Sequence, residues 1–325
     1  MRPTPLLEVE DLRVEFPTPK GSVRAADGVS FRVYPGEIVG LVGESGCGKS
    51  VTTLALLRLV RPPGRIAAGR IVFKGSDLLA LPEQELRRLR GGEIAMIFQN
   101  AMTALDPVFS VGNQIGEVVR AHPHLHEGDV RRAAAAVLER VRIPNAASAV
   151  NAYPHQFSGG MAQRVMIGMG LAGRPSLLVA DEPTTALDVS VQAQILELLR
   201  AIRAELHTAI IMITHDMAIT AQLCDRIVVM YAGQVVETSA TRELFRGPLH
   251  PYTRGLLDSM PRLGQRRARL AQITGQPPDL RAIPVGCRFA PRCPRAAERC
   301  RVEEPLLTTR DDSRAVRCHF PLEAA

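Results

Sequence analysis

Nowhere in the 325 residues do about twenty apolar residues run together, so no segment is expected to cross a bilayer as a helix. The opening stretch "MRPTPLLEVEDLRVEF" lacks the apolar core of a secretory signal and carries acids early, which predicts a chain that stays in the cytosol. There is no Trp, and aromatics make up only 4% of the residues. Internal repeats and low-complexity tracts are missing. Cysteine is sparse, six in all, and no two stand in the close C-x2–4-C pairs that structural zinc sites favour. Structural disulfides are disfavoured in a reducing compartment, which points these residues toward metal binding or buried thiols.

What is present is the composition of a soluble globular protein, 46% hydrophobic and 22% charged, long enough for one large domain or a domain with an appendage. The net charge of +7 suits nucleic acid, an anionic membrane surface or phosphate ligands, and equally a compositional preference for Arg.

Along the chain, "LLEVEDLRVEF" and "AADGVSFRVYPGE" alternate apolar and polar residues as strands do. "EIVGLVG" is a short apolar run before a Gly-rich stretch, and "VTTLALLRLV" then reads as helix. Residues 64–98 predict strand, loop, helix and a closing strand, "EIAMIFQ". From about Asn100 to Gly173 the pattern is helical, including "VRRAAAAVLERVRI" and "MAQRVMIGMGLAG". "SLLVADEP" returns to a buried strand, and the next helix places Val191, Ile195, Leu198, Ile202 and Leu206 on one face. "AIIMITHD" is a strand and "RIVVMYAGQVVET" a hairpin. The alternation predicts an α/β fold with a parallel-sheet core and a helical insertion. After about residue 247, Pro and Arg become dense and periodicity fades, which places a boundary there.

"GESGCGKS" matches G-x-x-x-x-G-K-[ST] at Gly43, Gly48, Lys49 and Ser50, between the predicted strand and helix where such a loop belongs. Its glycines let backbone N–H groups wrap phosphates, and the helix N-terminus adds positive potential. Glu44, Ser45, Gly46, Cys47 and Val51 complete the candidate phosphate-binding stretch. Lys49 is expected to reach the β/γ-phosphates and Ser50 to bind Mg²⁺. Cys47 reads as a small filler whose position suggests a thiol-sensitive spot. "LLVADE" ends a strand in two carboxylates: Asp181 suits a Mg²⁺ ligand, and Glu182 a base that polarises the attacking water. An apolar run ending in Asp-Glu is weak alone; with a phosphate loop about 130 residues upstream it points to phosphoryl transfer.

"FSGGMAQR" at 157–164 decides the class. With it, six motifs stand in order: "GESGCGKS", Gln99 in "IFQN", "FSGGMAQ", "LLVADEP", "ALD" at 186–188, and His215 in "ITHD". In this the chain resembles the nucleotide-binding subunits of ABC transporters, from residue 6 to about 247. The resemblance implies a P-loop ABC-type ATPase with an N-terminal antiparallel β subdomain, an inserted helical subdomain at about 100–173, and a domain spanning 1–247. It implies that Ser158, Gly159 and Gly160 contact the γ-phosphate of ATP held by the opposite subunit of a dimer. It further gives Gln99 a role in sensing Mg²⁺ and water, His215 one in holding the γ-phosphate and the water, and Asp188 one in linking the two sites. Phe16 is the candidate for stacking on adenine, with Tyr34 as the alternative. Phe157 replaces the commoner Leu and Ala162 stands where relatives often carry Arg, and neither change removes a phosphate contact.

"NAMTALDPVFSVGNQIGE", "HPYTRGLLDSMP" and "ITGQPPDL...PVGCRFAPRCPRA" resemble the ATPases of oligopeptide and dipeptide importers, the last falling in their C-terminal extension, here 248–325. That subfamily implies a second, homologous ATPase subunit, two membrane permease subunits, an extracellular or periplasmic binding protein, a peripheral place on the cytoplasmic face of the membrane, and no nucleic acid. Some of its members move nickel or other small solutes. The cysteines at 287, 293, 300 and 318 leave disulfides, zinc, an iron–sulfur cluster and buried thiols open. The resemblance implies that Cys287, Cys293, Cys300 and Cys318 hold a [4Fe–4S] cluster, with His319 as a substitute ligand. Six arginines between Arg281 and Arg301 would offset its charge or form a solvated surface.

Four rivals are each opposed by a feature of the chain. A DNA-repair ATPase of this class carries a long coiled-coil insertion, whereas 58 residues separate Gln99 from Ser158. A translation ATPase usually has two units in one chain, and an exporter often has fused membrane spans. A non-catalytic regulatory subunit would be expected to lack Glu182 or Lys49.

Overall fold

A computed structural model describes residues 4–19, 21–123, 128–260, 272–311 and 314–323; the last residue of "HPYTRGLLDSMP" lies outside them. In chain order the elements are β1 (Leu7–Thr18), β2 (Gly21–Val33), β3 (Ile38–Val42), α1 (Lys49–Leu56), β4 (Arg65–Phe73), β5 (Ser76–Asp77), α2 (Glu83–Leu89) and β6 (Ile94–Ile97). Then come α3 (Ala101–Ala104), α4 (Val111–Ala121), α5 (Val130–Arg140), α6 (Ala146–Ala149), α7 (Gly159–Leu171), β7 (Leu177–Asp181), α8 (Val189–Leu206) and β8 (Ala209–Thr214). The chain closes with α9 (Met217–Leu223), β9 (Arg226–Tyr231), β10 (Gln234–Ala240), α10 (Thr241–Arg246), α11 (Pro251–Asp258), α12 (Glu298–Val302), β11 (Thr308–Thr309) and β12 (Ala315–Val316). Two compact units result: Met1–Val33 with Ile38–Leu79 and Thr214–Ala325, and Tyr34–Glu37 with Ala80–Ile213.

In the first unit, β1 pairs antiparallel with both β2 and β4, so the alternating N-terminal sequence builds an antiparallel sheet with one buried face. β3 runs parallel to β9, and all five of its residues are buried, as expected of a strand covered on both faces. Ala232 and Gly233, both at positive φ, turn β9 into β10 as a two-residue hairpin. β10 continues the sheet through β12 to β11, so the C-terminal segment adds strands to this unit.

In the second unit, β6, β7 and β8 form a parallel ladder. Helices α3 to α7 lie between β6 and β7 in sequence, and α8 joins β7 to β8. α8 buries Ile195, Leu196, Leu198, Leu199 and Ile202. Val191 and Leu206, placed by periodicity on the same face, are only half-buried. Among the described residues, no helix is long and apolar enough to cross a membrane.

Candidate functional site

The phosphate loop belongs to the first unit, between β3 and α1. Two of its glycines are required by close approach. At Gly43 an added Cβ would fall 2.2 Å from the Met230 carbonyl oxygen of β9. At Gly48, with φ of +102°, it would fall 2.1 Å from the Ala25 carbonyl oxygen of β2. The spacing seen in sequence therefore reflects a loop gripped at both ends. Buried Lys49 donates from Nζ to the Gly43 and Glu44 carbonyls at 2.7 and 2.9 Å. Ser45, Gly46 and Ser50 face outward, and Val51 is half-buried. Cys47 does not fit a thiol-sensitive spot. Burial pushes its thiol up, and its sulfur packs inward, 3.6 Å from Lys49 Nζ. Phe16 sits in β1 with its ring edge against Gly64, where a Cβ would lie 2.5 Å from Cε1. His215 is exposed just after β8, beside Asp216, which caps α9.

The carboxylates belong to the second unit. β7 delivers Asp181 to its end and Glu182 just beyond, at the positive φ of 46°. One oxygen of Glu182, Oε2, accepts from Gln99 Nε2 at 2.9 Å and from Thr185 Oγ1 at 2.8 Å. Gln99 is 83 positions away in sequence, so the parallel pairing of β6 with β7 is what joins them. Gln99, Thr185 and Gly159 line one groove of this unit. Ser158 caps α7, accepting from the Met161 amide at 3.3 Å, which leaves the following N–H groups at a helix start. A Cβ on Gly160 would lie 2.6 Å from Val191 Cγ1 of α8. Asp188 caps α8; its bonds from the Ser190 hydroxyl and the Val191 amide hold its carboxyl below the usual range. The alternative stacking residue, Tyr34, is half-buried in this unit, its amide donating to Glu37 at 2.9 Å.

The cysteines at 287, 293, 300 and 318 line one narrow cavity with His250 and His319. The Cys287 amide donates to the Cys300 carbonyl at 2.8 Å. Burial raises the thiols of Cys287 and Cys293, and that of Cys318 to about 11, with neighbouring cysteines adding to each shift. His250 accepts the Tyr252 amide on Nδ1 at 3.0 Å, which puts the proton of its neutral ring on Nε2. His319 Nε2 stands 2.9 Å from the Glu303 carbonyl. The donor set is right in number and chemistry for a thiolate-held cluster. Among the described residues, however, no three His, Cys, Asp or Glu side chains form a group that could hold a metal ion. A tetrahedral zinc site needs sulfurs about 3.8 Å apart, as Zn–S bonds of about 2.3 Å dictate, so no zinc cage is preformed.

Comparison with known proteins settles the class. The family model for ABC transporters matches residues 26–185, and that for the oligopeptide/dipeptide transporter C-terminal region matches 236–300. The dipeptide transport ATP-binding protein DppD of Escherichia coli (strain K12) is 48% identical over 98% of both chains. The chain belongs to the ABC transporter ATP-binding proteins of the oligopeptide/dipeptide family. The oligopeptide transport ATP-binding protein OppD of Salmonella typhimurium is 50% identical over 93% of this chain and 90% of its own length. DppD of Bacillus subtilis (strain 168) is 47% identical over 96% and 94%. Among solved structures, cbiO1 from Clostridium perfringens matches with a TM-score of 0.62 at 26% identity, covering 74% of this chain and 90% of that one. An ATP-binding cassette bound to ADP and Pi shares the fold, with a TM-score of 0.64 at 24% identity over 73% and 99%.

The chain is an ABC-type ATPase, and three side chains around its candidate residues were not announced by the motifs. Thr185 reaches Glu182 from "PTTALD", where only "ALD" had drawn attention. The arginine run is neither one solvated surface nor one counter-charge to the cysteines. Arg281 and Arg299 are exposed and pair with Asp279 and Glu303. Arg288 and Arg292, with side chains 4% and 5% exposed, pair instead with Asp27 and Glu44. Their adjacency to Cys287 and Cys293 was the available signal.

Proposed function

We propose that this ATPase powers a peptide importer, as one of two homologous ATPase subunits on the cytoplasmic face of a membrane, beneath two permease subunits fed by a binding protein. The observation that carries the peptide class is the match of residues 236–300 to the peptide-transporter C-terminal region, separate from the ATPase match at 26–185. The near-complete alignment with dipeptide and oligopeptide transport proteins supports it. The domain division proposed is 1–247 for the nucleotide-binding domain, with helices at about 100–173, and 248–325 for the extension.

In the proposed mechanism, backbone N–H groups of Gly43 to Ser50 and the Lys49 ammonium bind the phosphates, with Val51 beside them and Phe16 against adenine. Ser50, Asp181 and Gln99 would hold Mg²⁺, which would spread the developing phosphoryl charge. Glu182 takes the proton of the attacking water. Its carboxylate is oriented by Gln99 and Thr185 through Oε2. His215 orients the γ-phosphate. Ser158, Gly159 and Gly160 close over the ATP of the partner subunit, and Asp188 shapes the same border. A nickel or other small-solute importer of this subfamily is the second reading. Stimulation of ATP hydrolysis in the assembled complex by peptides, and not by nickel, tests the choice.

For the cysteines, a [4Fe–4S] cluster is the reading the donor set favours. Four thiols share one cavity, and four cysteines are the ligand number such a cluster takes. When bound, such a cluster supplies a crosslink to a segment with little core of its own. About four iron and four sulfide per chain, on protein purified without oxygen, is the expected result; about one zinc, or no metal, sinks it.

A further inference from the structure

The cysteine loop and the phosphate loop belong to the same unit, and the contacts between them are unusually complete. Arg292, next to Cys293, lays its guanidinium on the Glu44 carboxylate with two parallel bonds, Nη1 to Oε2 at 2.7 Å and Nη2 to Oε1 at 3.0 Å. The remaining donors are spent on the Thr274 carbonyl at 3.1 Å, the Ile273 carbonyl at 3.4 Å and the Tyr231 hydroxyl at 3.3 Å. The arginine is therefore fixed in place rather than sampling the surface. Glu44 is the first variable residue of "GESGCGKS". Its amide donates to the Tyr252 hydroxyl at 2.9 Å, and its carbonyl accepts Lys49 Nζ at 2.9 Å. Every polar group of Glu44 thus has a partner, and two of the three kinds come from residues C-terminal to position 247.

A second contact reaches the other end of the loop. Arg288, next to Cys287, donates to the Ala232 carbonyl at 2.6 Å and pairs with Asp27. Gly233, the next residue, donates its amide to the Cys47 carbonyl at 2.9 Å and accepts the Asp27 amide at 2.8 Å. Between the two contacts, Phe289 packs edge-on against Tyr231 and Tyr252, with ring centroids 5.2 and 5.4 Å apart. Residues 287–293 therefore brace both shoulders of the phosphate loop through a packed aromatic centre.

We infer that the cysteine-bearing extension positions the phosphate loop for ATP, with Arg292 as the positioning residue and Glu44 as the point it holds. The extension acts on the nucleotide without touching it. The loop's N–H groups must point inward together to bind phosphate, and a loop freed at Glu44 samples other arrangements that bind less. A bidentate guanidinium–carboxylate pair fixes both position and orientation, which a lysine cannot copy. Disrupting the four-cysteine cavity should then weaken ATP binding through Arg292.

This inference rests on reading Gly43–Ser50 as the ATP-phosphate loop. The test is ATP affinity of the full chain, measured with a fluorescent ATP analogue, for wild type, Arg292→Ala, Arg292→Lys, Cys293→Ser and the double variant Arg292→Ala/Cys293→Ser. Arg299→Ala, an exposed pair in the same extension, is the control. Arg292→Ala should weaken binding about tenfold, the low end of what a charge-assisted pair contributes. Arg292→Lys should recover part of that loss, Arg299→Ala should match wild type, and the double variant should lose no more than Arg292→Ala alone. In steady state the loss should fall on KM rather than kcat. If Arg292→Ala fails to fold, Arg292→Lys still decides, because a loss of less than twofold there overturns the inference. Additive losses in the double variant overturn the link to the cysteines. Wild type that binds no ATP analogue at all refutes instead the reading of the loop.

Discussion

Replacing Glu237 with Ala is expected to unlock the extension from the sheet. Glu237 is wholly buried in β10 and accepts the Leu249 and His250 amides at 2.7 and 2.8 Å, so one side chain sets where the chain leaves α10 for α11. Arg314 stands 4.0 Å from the same carboxylate. In Glu237→Ala two buried N–H groups lose their acceptor, at about 1–3 kcal/mol each. Part of that is offset, because burial itself disfavours this carboxylate and pushes its pKa up. The net loss should be about 2–4 kcal/mol. Glu237→Gln retains one acceptor oxygen and should lose about half as much. With no Trp in the chain, near-UV circular dichroism of the Tyr231–Tyr252 pair reports on this region directly. Urea titrations followed at that signal should show the Ala variant shifted most and Gln between it and wild type. An Ala variant within about 0.5 kcal/mol of wild type would refute the reasoning.

Other expectations follow from the same geometry. Glu182→Gln keeps an acceptor for Thr185 but no base, so turnover of the assembled complex should fall about 10²–10⁴-fold while ATP still binds; near-normal turnover would remove Glu182 from its role. Gly48→Ala forces a Cβ to 2.1 Å from the Ala25 carbonyl at a φ of +102°, and equilibrium binding should show ATP affinity lost with most of the fold retained. His250 is held neutral by burial, its pKa lowered from 6.5 to about 3. Between those values the unfolded chain binds the extra proton, so stability falls as pH drops below 6.5, by about 1.4 kcal/mol per pH unit. His250→Asn, which keeps a capping acceptor for Tyr252, should flatten that slope in urea titrations at pH 7 and pH 5.5. Equal slopes would show that the ring titrates normally.

Much of this was legible because it is local. The apolar run Ile38–Val42, the glycines after it and the helix from Lys49 form one continuous signal, and the structure adds only the two carbonyls that require Gly43 and Gly48. Asp181 and Glu182 follow a strand whose burial reads straight from "LLVAD". The hairpin over Arg226–Ala240 was marked by Ala-Gly between β-branched runs. Periodicity placed Val191 and Leu206 on the same face as the buried residues of α8, and at the two ends of the helix that face is only half-buried. What stayed hidden depends on contacts distant in sequence. Arg292 and Glu44 are 248 positions apart and Arg288 and Asp27 are 261, and each arginine looks like its exposed neighbours until the fold buries it. The clustering of the cysteines was visible, and what their cavity holds was not, because spacing fixes neither distance nor depth.

The central claim is that this chain spends ATP to import peptides with membrane partners. Its most direct test is to isolate the complex the chain forms in membranes, reconstitute it into vesicles with its binding protein, and measure ATP hydrolysis with and without di- and oligopeptides. The account predicts hydrolysis that peptides stimulate, that nickel does not, and that Glu182→Gln abolishes. Isolation of the chain without integral membrane partners, or hydrolysis indifferent to every peptide supplied, would contradict it.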